Sequence, residues 1–300
     1  MPQPIAALIY DFDQTLSPKN MQEYTFLPGI HIEADEFWKL CREFSIKHNM
    51  DGILSYMYMM NKMSGTVLTA QRLREMGEGI EFFPGVETWF ERIRQIGRSM
   101  GLEVEHYVIS SGLTEIIRGS RIGHEFKEVF AASFCCDEEG RPFWPSSVVN
   151  YTAKTQYLFR INKGIPDATN DRDLNAFTPA YMRRIPFANM IYLGDGLTDV
   201  PCMKMTKQKG GYSIAVHAPE VTDVADDMLL QNRADFSMVC DYTPGSELEK
   251  VVTLLLKCIR ANADVTMAHA LQVQRAHERR GENVPLNVPM RGGIQEDEME

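Results

Sequence analysis

The chain has 300 residues, of which 44% are hydrophobic and 24% are charged, and its formal net charge is −10. This composition is typical of a globular protein and excludes a disordered chain, and the length suits one large domain or a core with a smaller inserted domain. The negative charge argues against nucleic acid as a partner, and no apolar run is long enough to cross a membrane.

The sequence contains six cysteines, without a CxxC motif or a regular spacing. This pattern favours reduced thiols in a cytoplasmic protein over a zinc site or a disulfide framework. The first residues lack the basic and long apolar regions of a secretory signal, and their pattern predicts the first strand of a fold. The sequence carries no signal for the oligomeric state.

Short apolar segments alternate with helical patterns along most of the chain. The predicted strands are residues 5–10, 104–109, 129–134, 190–193 and 212–216. The predicted helical regions are residues 34–80, 86–100, 113–118, 151–163 and 247–260. Strands that alternate with helices predict an α/β fold with a doubly wound parallel sheet.

The helical region after the first strand interrupts this alternation, because it contains no strand pattern before Pro84 and Gly85 end it. It therefore predicts an inserted helical domain of residues 18–83, with residues 1–17 and 84–263 forming the core. The methionine and aromatic residues of the region are best interpreted as the insertion's own core.

Two further segments depart from the pattern. Residues 165–187 form a polar insertion with prolines, which we expect to lie away from the acidic segments that follow the strands. Residues 264–300 lose the periodicity and end in acidic residues, and they are predicted to form a mobile tail.

The first acidic segment directly follows the first strand, where Asp11 and Asp13 stand two residues apart. Ligands of open α/β sheets bind at the carboxyl ends of the strands, so Asp11 would face the ligand crevice. One carboxylate can then serve as a nucleophile and the other as a general acid and base. A turn built from helix-capping Asp and Thr residues is the alternative interpretation.

A second strand runs into Gly194 and Asp195, which are followed by Gly196 and Asp199. The glycines permit a tight backbone turn, and carboxylate oxygens at a strand end suit a hard cation such as Mg²⁺. In the alternative interpretation, Asp199 caps the helix that follows and Asp195 only shapes the turn.

A third strand ends in Ser110, Ser111 and Gly112. The Ser110 hydroxyl, with the amides of Ser111 and Gly112, is suited to holding a phosphate oxygen. Ser110 is equally suited to capping a helix that begins at Leu113. Ser111 is a second candidate for the hydroxyl, but Ser110 is favoured because it directly follows the strand.

Lys154 lies in the first turn of the predicted helix at 151–163, and helices that follow strands in this fold begin on the ligand side of the sheet. Lys154 can therefore reach the crevice and neutralise charge there. Lys163 would lie at the opposite edge, as a solvated lysine that suits the helix dipole.

Together these segments resemble the haloacid dehalogenase (HAD)-like hydrolase superfamily, and in particular its phosphoserine-phosphatase-like phosphatases. The matching segments are residues 11–15, Ser110, Lys154 and residues 194–199, in the order typical of the superfamily. The resemblance spans roughly residues 5–230. It implies a HAD-like Rossmannoid core, and it implies that the inserted helical region is a C1-type cap.

The resemblance implies that Asp11 is the nucleophile and forms an aspartyl-phosphate intermediate. Asp13 would protonate the leaving alcohol and then activate the hydrolytic water; the dehalogenase and ATPase branches of the superfamily lack this second aspartate. Ser110 and Lys154 would bind the phosphoryl oxygens, and Thr15 would help to order the nucleophile loop.

The resemblance also implies a Mg²⁺ cofactor, held by the Asp11 carboxylate, the Asp13 backbone carbonyl and Asp195. Asp199 would support the metal shell or orient Lys154. A carboxylate that attacks a phosphate dianion meets electrostatic repulsion, which Mg²⁺ and the lysine would screen.

These roles predict a Mg²⁺-dependent phosphomonoester hydrolase that acts on a small phosphorylated metabolite. The cap would set its specificity, and Glu23 would meet a substrate amine, as an acid near this place does in phosphoserine phosphatases. A phosphotransferase of the same superfamily is the first alternative, and a binding protein that keeps the fold without turnover is the second.

Overall fold

The computed structural model describes residues 3–65 and 68–282. Within these residues, one sheet contains seven strands, which are β1 (Ile5–Tyr10), β2 (Glu103–Leu113), β3 (Glu128–Cys136), β4 (Pro142–Ser147), β5 (Met190–Gly194), β6 (Tyr212–His217) and β7 (Phe236–Val239). The strand order is β4-β3-β2-β1-β5-β6-β7. β4 pairs antiparallel with β3, and all other neighbours are parallel.

Helices connect the strands and cover both faces of the sheet. They are α1 (Phe26–Gly29), α2 (Ala34–His48), α3 (Gly52–Met63), α4 (Ala70–Met76), α5 (Val86–Ser99), α6 (Thr114–Gly119), α7 (Thr155–Lys163), α8 (Asp171–Asn175), α9 (Val200–Gln208), α10 (Asp223–Leu230) and α11 (Glu247–Arg279). A 3-10 turn, Tyr151–Lys154, leads directly into α7. The mainly parallel sheet with helices between its strands confirms the predicted α/β fold.

The core lies on both faces of the sheet. Along β1, Leu8 and Tyr10 belong to one cluster of buried side chains, and Ala7 and Ile9 belong to another. α5 and α11 contribute to the first cluster, whereas α7, α9 and α10 contribute to the second. Because both faces of β1 are buried, its sequence is a continuous apolar run instead of an alternating one.

β1 lies at the centre of the sheet, between β2 and β5. Its last residue, Tyr10, is in register with Val108 of β2 and Leu193 of β5. The three parallel strands therefore end at one edge of the sheet. The segments that begin at Asp11 and Asp195 meet at this edge, together with the last residues of β2.

α1 to α4 occupy the region that the sequence predicts as an insertion between β1 and α5. α4 packs against α6, and the Tyr56 hydroxyl of α3 donates a hydrogen bond to the Ser111 carbonyl at 2.7 Å. The helical region thus contacts the carboxyl end of β2. The boundaries of a separate domain, residues 18–83, stay a prediction.

The predicted start of the tail at residue 264 is wrong, because α11 continues through Arg279. On this C-terminal part of α11 several side chains are half-buried and Ala270 is buried, but the apolar residues are small or widely spaced. The periodicity is therefore too weak to indicate a helix. The rest of the predicted tail, residues 283–300, lies outside the described residues.

The polar, proline-containing insertion after α7 packs at the amino end of β2, away from Asp11. Within it, the carbonyls of Leu174 and Ala176 each accept a hydrogen bond from the Lys163 ammonium at 2.8 Å. Lys163 is therefore not the solvated lysine that the sequence predicts. Arg184 pairs with the buried carboxylate of Glu105 on β2 at 2.6 Å, which fixes the other end of the insertion.

Neither a membrane-spanning helix nor a disulfide is found among the described residues. α11 has 33 residues, but polar and charged side chains interrupt its apolar positions. All six cysteines are free thiols.

A hydrogen-bond network crosses the core at the middle of the sheet. The Trp89 indole donates to the Tyr10 hydroxyl at 2.9 Å, and this hydroxyl lies 3.0 Å from Nδ1 of His106. Nε2 of His106 lies 3.2 Å from the Phe90 carbonyl, which can only accept, so the network assigns the ring proton to Nε2. Burial lowers the pKa of His106 to about 3.

We expect His106 to make the fold less stable as the pH falls below about 6.5. A lowered pKa in the folded state means that the unfolded chain binds the proton first as the pH falls. The stability that neutral His106 contributes is therefore complete above the pKa of the unfolded chain, and it is lost as the pH falls from there to the pKa of the folded protein. The free energy of unfolding should fall by up to about 1.4 kcal/mol per pH unit from this group. Urea denaturation between about pH 4.5 and 7.5 should give a steeper loss for the parent than for His106→Asn; equal slopes would contradict the expectation.

Candidate active site

Asp11 extends the sheet pairing beyond β1, since its amide donates to the Leu193 carbonyl at 2.9 Å. Its side chain is buried. One carboxylate oxygen accepts a hydrogen bond from the Phe12 amide at 2.7 Å, and the other accepts from the Lys154 ammonium at 2.9 Å. These two contacts hold the carboxylate in one orientation at the strand end.

Lys154 is fully buried where the 3-10 turn meets α7. Its ammonium lies 2.9 Å from a carboxylate oxygen of Asp11 and 2.7 Å from one of Asp199. Burial alone would lower the pKa of Lys154, but the charges of Asp11 and Asp199 outweigh it and raise the pKa above its ordinary value. The lysine therefore keeps its positive charge at neutral pH.

Asp199 receives hydrogen bonds from three groups. Its Oδ1 accepts from the Tyr192 hydroxyl and from Lys154, both at 2.7 Å, and its Oδ2 accepts from the Gly196 amide at 3.2 Å. Asp199 precedes α9, but its side chain makes no capping hydrogen bond to that helix. The capping interpretation is therefore wrong, and the contacts favour a role in orienting Lys154.

Acidic side chains crowd around this lysine. Oxygens of Asp11, Asp195 and Asp199 lie within 4.8 Å of one another. Burial, followed by the charges of Asp199 and Asp11, raises the pKa of Asp195 to about 8, and burial raises the pKa of Asp11 to about 6 against the effect of Lys154. Burial and the charge of Asp11 also raise the pKa of Asp13 well above its ordinary value. The single positive charge of Lys154 therefore does not balance the negative charges of these carboxylates.

This donor set fits a hard divalent cation. Carboxylate oxygens are ligands that Mg²⁺ prefers, and a divalent charge would relieve the repulsion among the crowded carboxylates. Asp199 already accepts three hydrogen bonds, whereas Asp11 accepts two and Asp195 accepts one from Thr15. Asp199 is therefore the least suited of the three to supply a direct ligand.

The turn predicted to bind phosphate belongs to the end of β2, which runs to Leu113, so the strand is longer than predicted. The Ser110 hydroxyl oxygen accepts a hydrogen bond from the Gly112 amide at 3.1 Å, which leaves its own proton free to be donated. No side chain caps α6, so the capping interpretation of Ser110 is wrong. The Ser111 hydroxyl is buried and has no hydrogen-bond partner among the described residues.

Thr15 lies inside the loop after β1 and is fully buried. Its hydroxyl donates to the Asp195 carboxylate at 3.4 Å, and its carbonyl accepts from the Tyr242 hydroxyl at 2.8 Å. Thr15 thus links the loop after β1 to the loop after β5, an arrangement compatible with the ordering role that the resemblance implies.

Glu23 lies in the segment that leads from the loop after β1 to the helical region. One of its carboxylate oxygens accepts from the Asn20 side-chain amide at 2.6 Å and from the Trp38 indole at 2.9 Å. Its charge contributes to the raised pKa of Asp13. Glu23 is therefore close to Asp13, but two neighbouring side chains already hold one of its oxygens.

Sequence reasoning misses three residues that contact the site. Tyr192 binds Asp199 from within an apolar strand, and only its hydroxyl distinguishes it there from an ordinary core residue. Tyr56 binds the turn at the end of β2, and the Met21 amide donates to the Asp13 carboxylate at 2.9 Å. A backbone donor such as the amide of Met21 leaves no signal in the sequence.

No family model matches the chain. An uncharacterized protein of Borreliella burgdorferi is 29% identical over 279 aligned residues, which cover 81% of this chain and 94% of that protein. Among solved structures, a HAD family hydrolase of Salmonella enterica serovar Typhi has a TM-score of 0.55 and 15% identity, over 85% of this chain and 72% of the other. A substrate-bound phosphoserine phosphatase has a TM-score of 0.51 and 15% identity, over 84% of this chain and 99% of the other.

These structural likenesses confirm the HAD-like fold that the motifs of the sequence predict. At 15% identity they concern the fold alone. What the chain does must therefore be argued from its own site.

Gly194 is required because a side chain at this position would have no room. The sequence predicts a different reason, namely that the turn needs the backbone freedom of glycine. A Cβ atom at Gly194 would lie 2.5 Å from Cγ and 2.6 Å from Oδ2 of Asp199. A Cβ atom at Gly196 would lie 3.7 Å from the nearest atom, in Thr198, which is an ordinary contact. A side chain would therefore collide with the Asp199 carboxylate at Gly194 but not at Gly196.

We expect Gly194→Ala to push the Asp199 carboxylate away from Lys154 and to lower the free energy of unfolding by about 1–3 kcal/mol. Gly196→Ala is the matched control and should change it by no more than about 0.5 kcal/mol. Urea denaturation of both variants measures the difference. Equal stability of the two variants would show that Asp199 is not confined by Gly194.

Proposed function

We propose that this chain is a Mg²⁺-dependent phosphatase that hydrolyses a phosphomonoester of a small metabolite through an aspartyl-phosphate intermediate on Asp11. The observation that carries the proposal is the buried Lys154 ammonium, which bridges Asp11 and Asp199 beside Asp195 at the carboxyl edge of the sheet. A buried, permanently charged lysine next to an oriented carboxylate suits the transfer of a phosphoryl group to that carboxylate.

In the first half of the reaction, the Asp11 carboxylate attacks phosphorus while Lys154 neutralises the charge on the phosphoryl oxygens. The Phe12 amide and Lys154 already hold the carboxylate at 2.7 and 2.9 Å, so little reorganisation precedes the attack. Asp199 keeps the ammonium in place, and the Ser110 hydroxyl has a proton to donate to a phosphoryl oxygen.

Asp13 supplies the proton that the leaving alcohol needs, and it then takes a proton from the water that hydrolyses the aspartyl phosphate. It lies in the same loop as Asp11, and burial favours its protonated form by raising its pKa. One carboxyl group can serve both steps because the first step leaves it ionised for the second.

Mg²⁺ would be held by the Asp11 carboxylate, the Asp13 backbone carbonyl and Asp195, with Asp199 supporting this shell through Lys154. When bound, it supplies positive charge that polarises the phosphoryl group. The raised pKa values of Asp195 and Asp11, about 8 and about 6, support a need for such a charge.

The substrate is proposed to be a small phosphorylated metabolite, because the nucleophile and the lysine beside it are almost inaccessible. Asp11 is 7% exposed and Lys154 is 0% exposed. Glu23 is the group proposed to meet a substrate amine, and one similar structure is named as a phosphoserine phosphatase with bound substrate. A cytoplasmic location remains part of this proposal, supported by the free cysteines.

Asp11→Asn should abolish hydrolysis, because an amide cannot form the aspartyl phosphate. We expect kcat for any phosphomonoester that the parent hydrolyses to fall by at least about 10³-fold. Asp35→Asn, on an exposed position of α2, is the matched control and should behave like the parent. Phosphate release from a panel of phosphorylated metabolites measures both, and full activity of Asp11→Asn would exclude Asp11 as the nucleophile.

The same panel separates the proposed function from its rivals. Transfer of phosphate to added glycerol or sugar, in preference to water, would identify a phosphotransferase. Trapping of beryllofluoride at Asp11 without turnover of any phosphoester would identify a binding protein.

Chelation with EDTA should remove the activity, and Mg²⁺ should restore it. Asp195→Asn should raise the Mg²⁺ concentration needed for half-maximal activity by at least about 10-fold, since even residues that only orient metal ligands contribute this much. Titration of Mg²⁺ into the metal-free parent and variant gives the two values. Activity that persists in EDTA would contradict the metal dependence.

A further inference from the structure

Met21 connects the nucleophile loop to the inserted helical region and is fully buried. It opens the 3-10 turn Met21–Glu23, and its backbone amide donates to Oδ1 of Asp13 at 2.9 Å. Oδ2 of Asp13 has no hydrogen-bond partner among the described residues. The amide of Met21 therefore fixes one oxygen of this carboxyl group and leaves the other available.

The side chain of Met21 packs onto the turn at the end of β2. Its sulfur lies 3.1 Å from the Leu113 amide nitrogen, which donates to it. A Cβ atom at Gly112 would lie 2.0 Å from Cε and 2.8 Å from Sδ of Met21, and 3.4 Å from Oδ2 of Asp13. The bare Cα of Gly112 is thus the surface against which both Met21 and Asp13 rest.

We propose that Met21 is a positioning residue for Asp13: the packing of its side chain against Gly112 fixes its backbone amide, and this amide orients Asp13 for proton transfer through Oδ2. The inference rests on the proposed function, since it assigns a role within that reaction. It adds a residue whose effect on the reaction passes through its own backbone amide.

The physical argument is that a general acid acts only when its proton is aligned with the leaving oxygen. A backbone amide moves with its residue, so the amide of residue 21 stays in place only if the side chain keeps its site. Met21 is held there by the hydrogen bond to its sulfur and by the absence of a side chain at Gly112. If Met21 instead only filled the core, its loss would slow all substrates alike.

Met21→Ala should therefore impair the protonation of the leaving group in particular. The test compares kcat/KM for β-glycerophosphate, whose alkoxide must be protonated, with kcat/KM for p-nitrophenyl phosphate, whose phenolate departs without a proton. The ratio of the two values should fall by at least about 10-fold in Met21→Ala, with Met21→Leu closer to the parent because it keeps most of the volume. Met228→Ala, a buried methionine in α10 on the other face of the sheet, is the matched control and should leave the ratio unchanged.

Gly112→Ala probes the same contact from the other side. The methyl group that this substitution adds should displace the Met21 side chain and lower the ratio in a similar way. Adding Met21→Ala to Gly112→Ala should then lower the ratio no further, because the first substitution has already broken the contact. Independent, multiplying losses in the double variant would overturn the proposed contact.

The outcomes separate this inference from the proposed function. If the parent hydrolyses neither ester with Mg²⁺ present, the proposed function fails and the role of Met21 falls with it. If the parent is active and Met21→Ala lowers both kcat/KM values equally, Met21 is only a packing residue, and the phosphatase function stands.

Discussion

The interaction on which the candidate site depends is the burial of the Lys154 ammonium between Asp11 and Asp199. A lysine removed from water stays charged only beside opposite charges, and breaking such a buried pair costs about 3–5 kcal/mol. The three residues come from different parts of the chain, namely the end of β1, the start of α7 and the turn after β5. They meet because β1 and β5 are neighbours whose last residues are in register, and because α7 begins near the same edge of the sheet. The fold therefore brings together the carboxylates that keep the lysine charged, and the ion pairs in turn stabilise the fold.

This arrangement also produces the electrostatic imbalance that a divalent cation would correct. The packing that excludes water from Lys154 also excludes it from the carboxylates. This desolvation is the main reason why the pKa values of Asp11 and Asp195 rise to about 6 and about 8. Asp199 differs from its neighbours, because three donors occupy its two oxygens. The contacts of Asp199 thus suit it to orient the lysine, whereas Asp11 and Asp195 are better suited to a metal. Asp199 can take this position because Gly194, which it approaches closely, has no side chain.

The inserted helical region contributes to the site from outside the sheet. Tyr56 and Met21 both contact the turn at the end of β2, through its Ser111 carbonyl and its Leu113 amide respectively. The turn is therefore held by groups that belong to the region predicted as a cap. Because the Met21 amide also donates to Asp13, a displacement of that region would move both the turn at the end of β2 and the Asp13 carboxylate. These contacts connect the helical region physically to the residues at the strand ends.

From the sequence alone one can predict the α/β class, the central strands and the candidate residues Asp11, Asp195 and Lys154, because a buried parallel strand is a continuous apolar run that stops where the polar residues of a site begin. The sequence does not reveal the C-terminal extent of α11 or the short edge strand β7, since partly exposed elements carry a weak hydrophobic periodicity. The tertiary structure was needed to show that Asp199 pairs with Lys154 and makes no capping hydrogen bond to α9. It also decided which backbone amide holds Asp13. Both depend on contacts between groups distant in the chain or on backbone donors, and neither leaves a local pattern of residues.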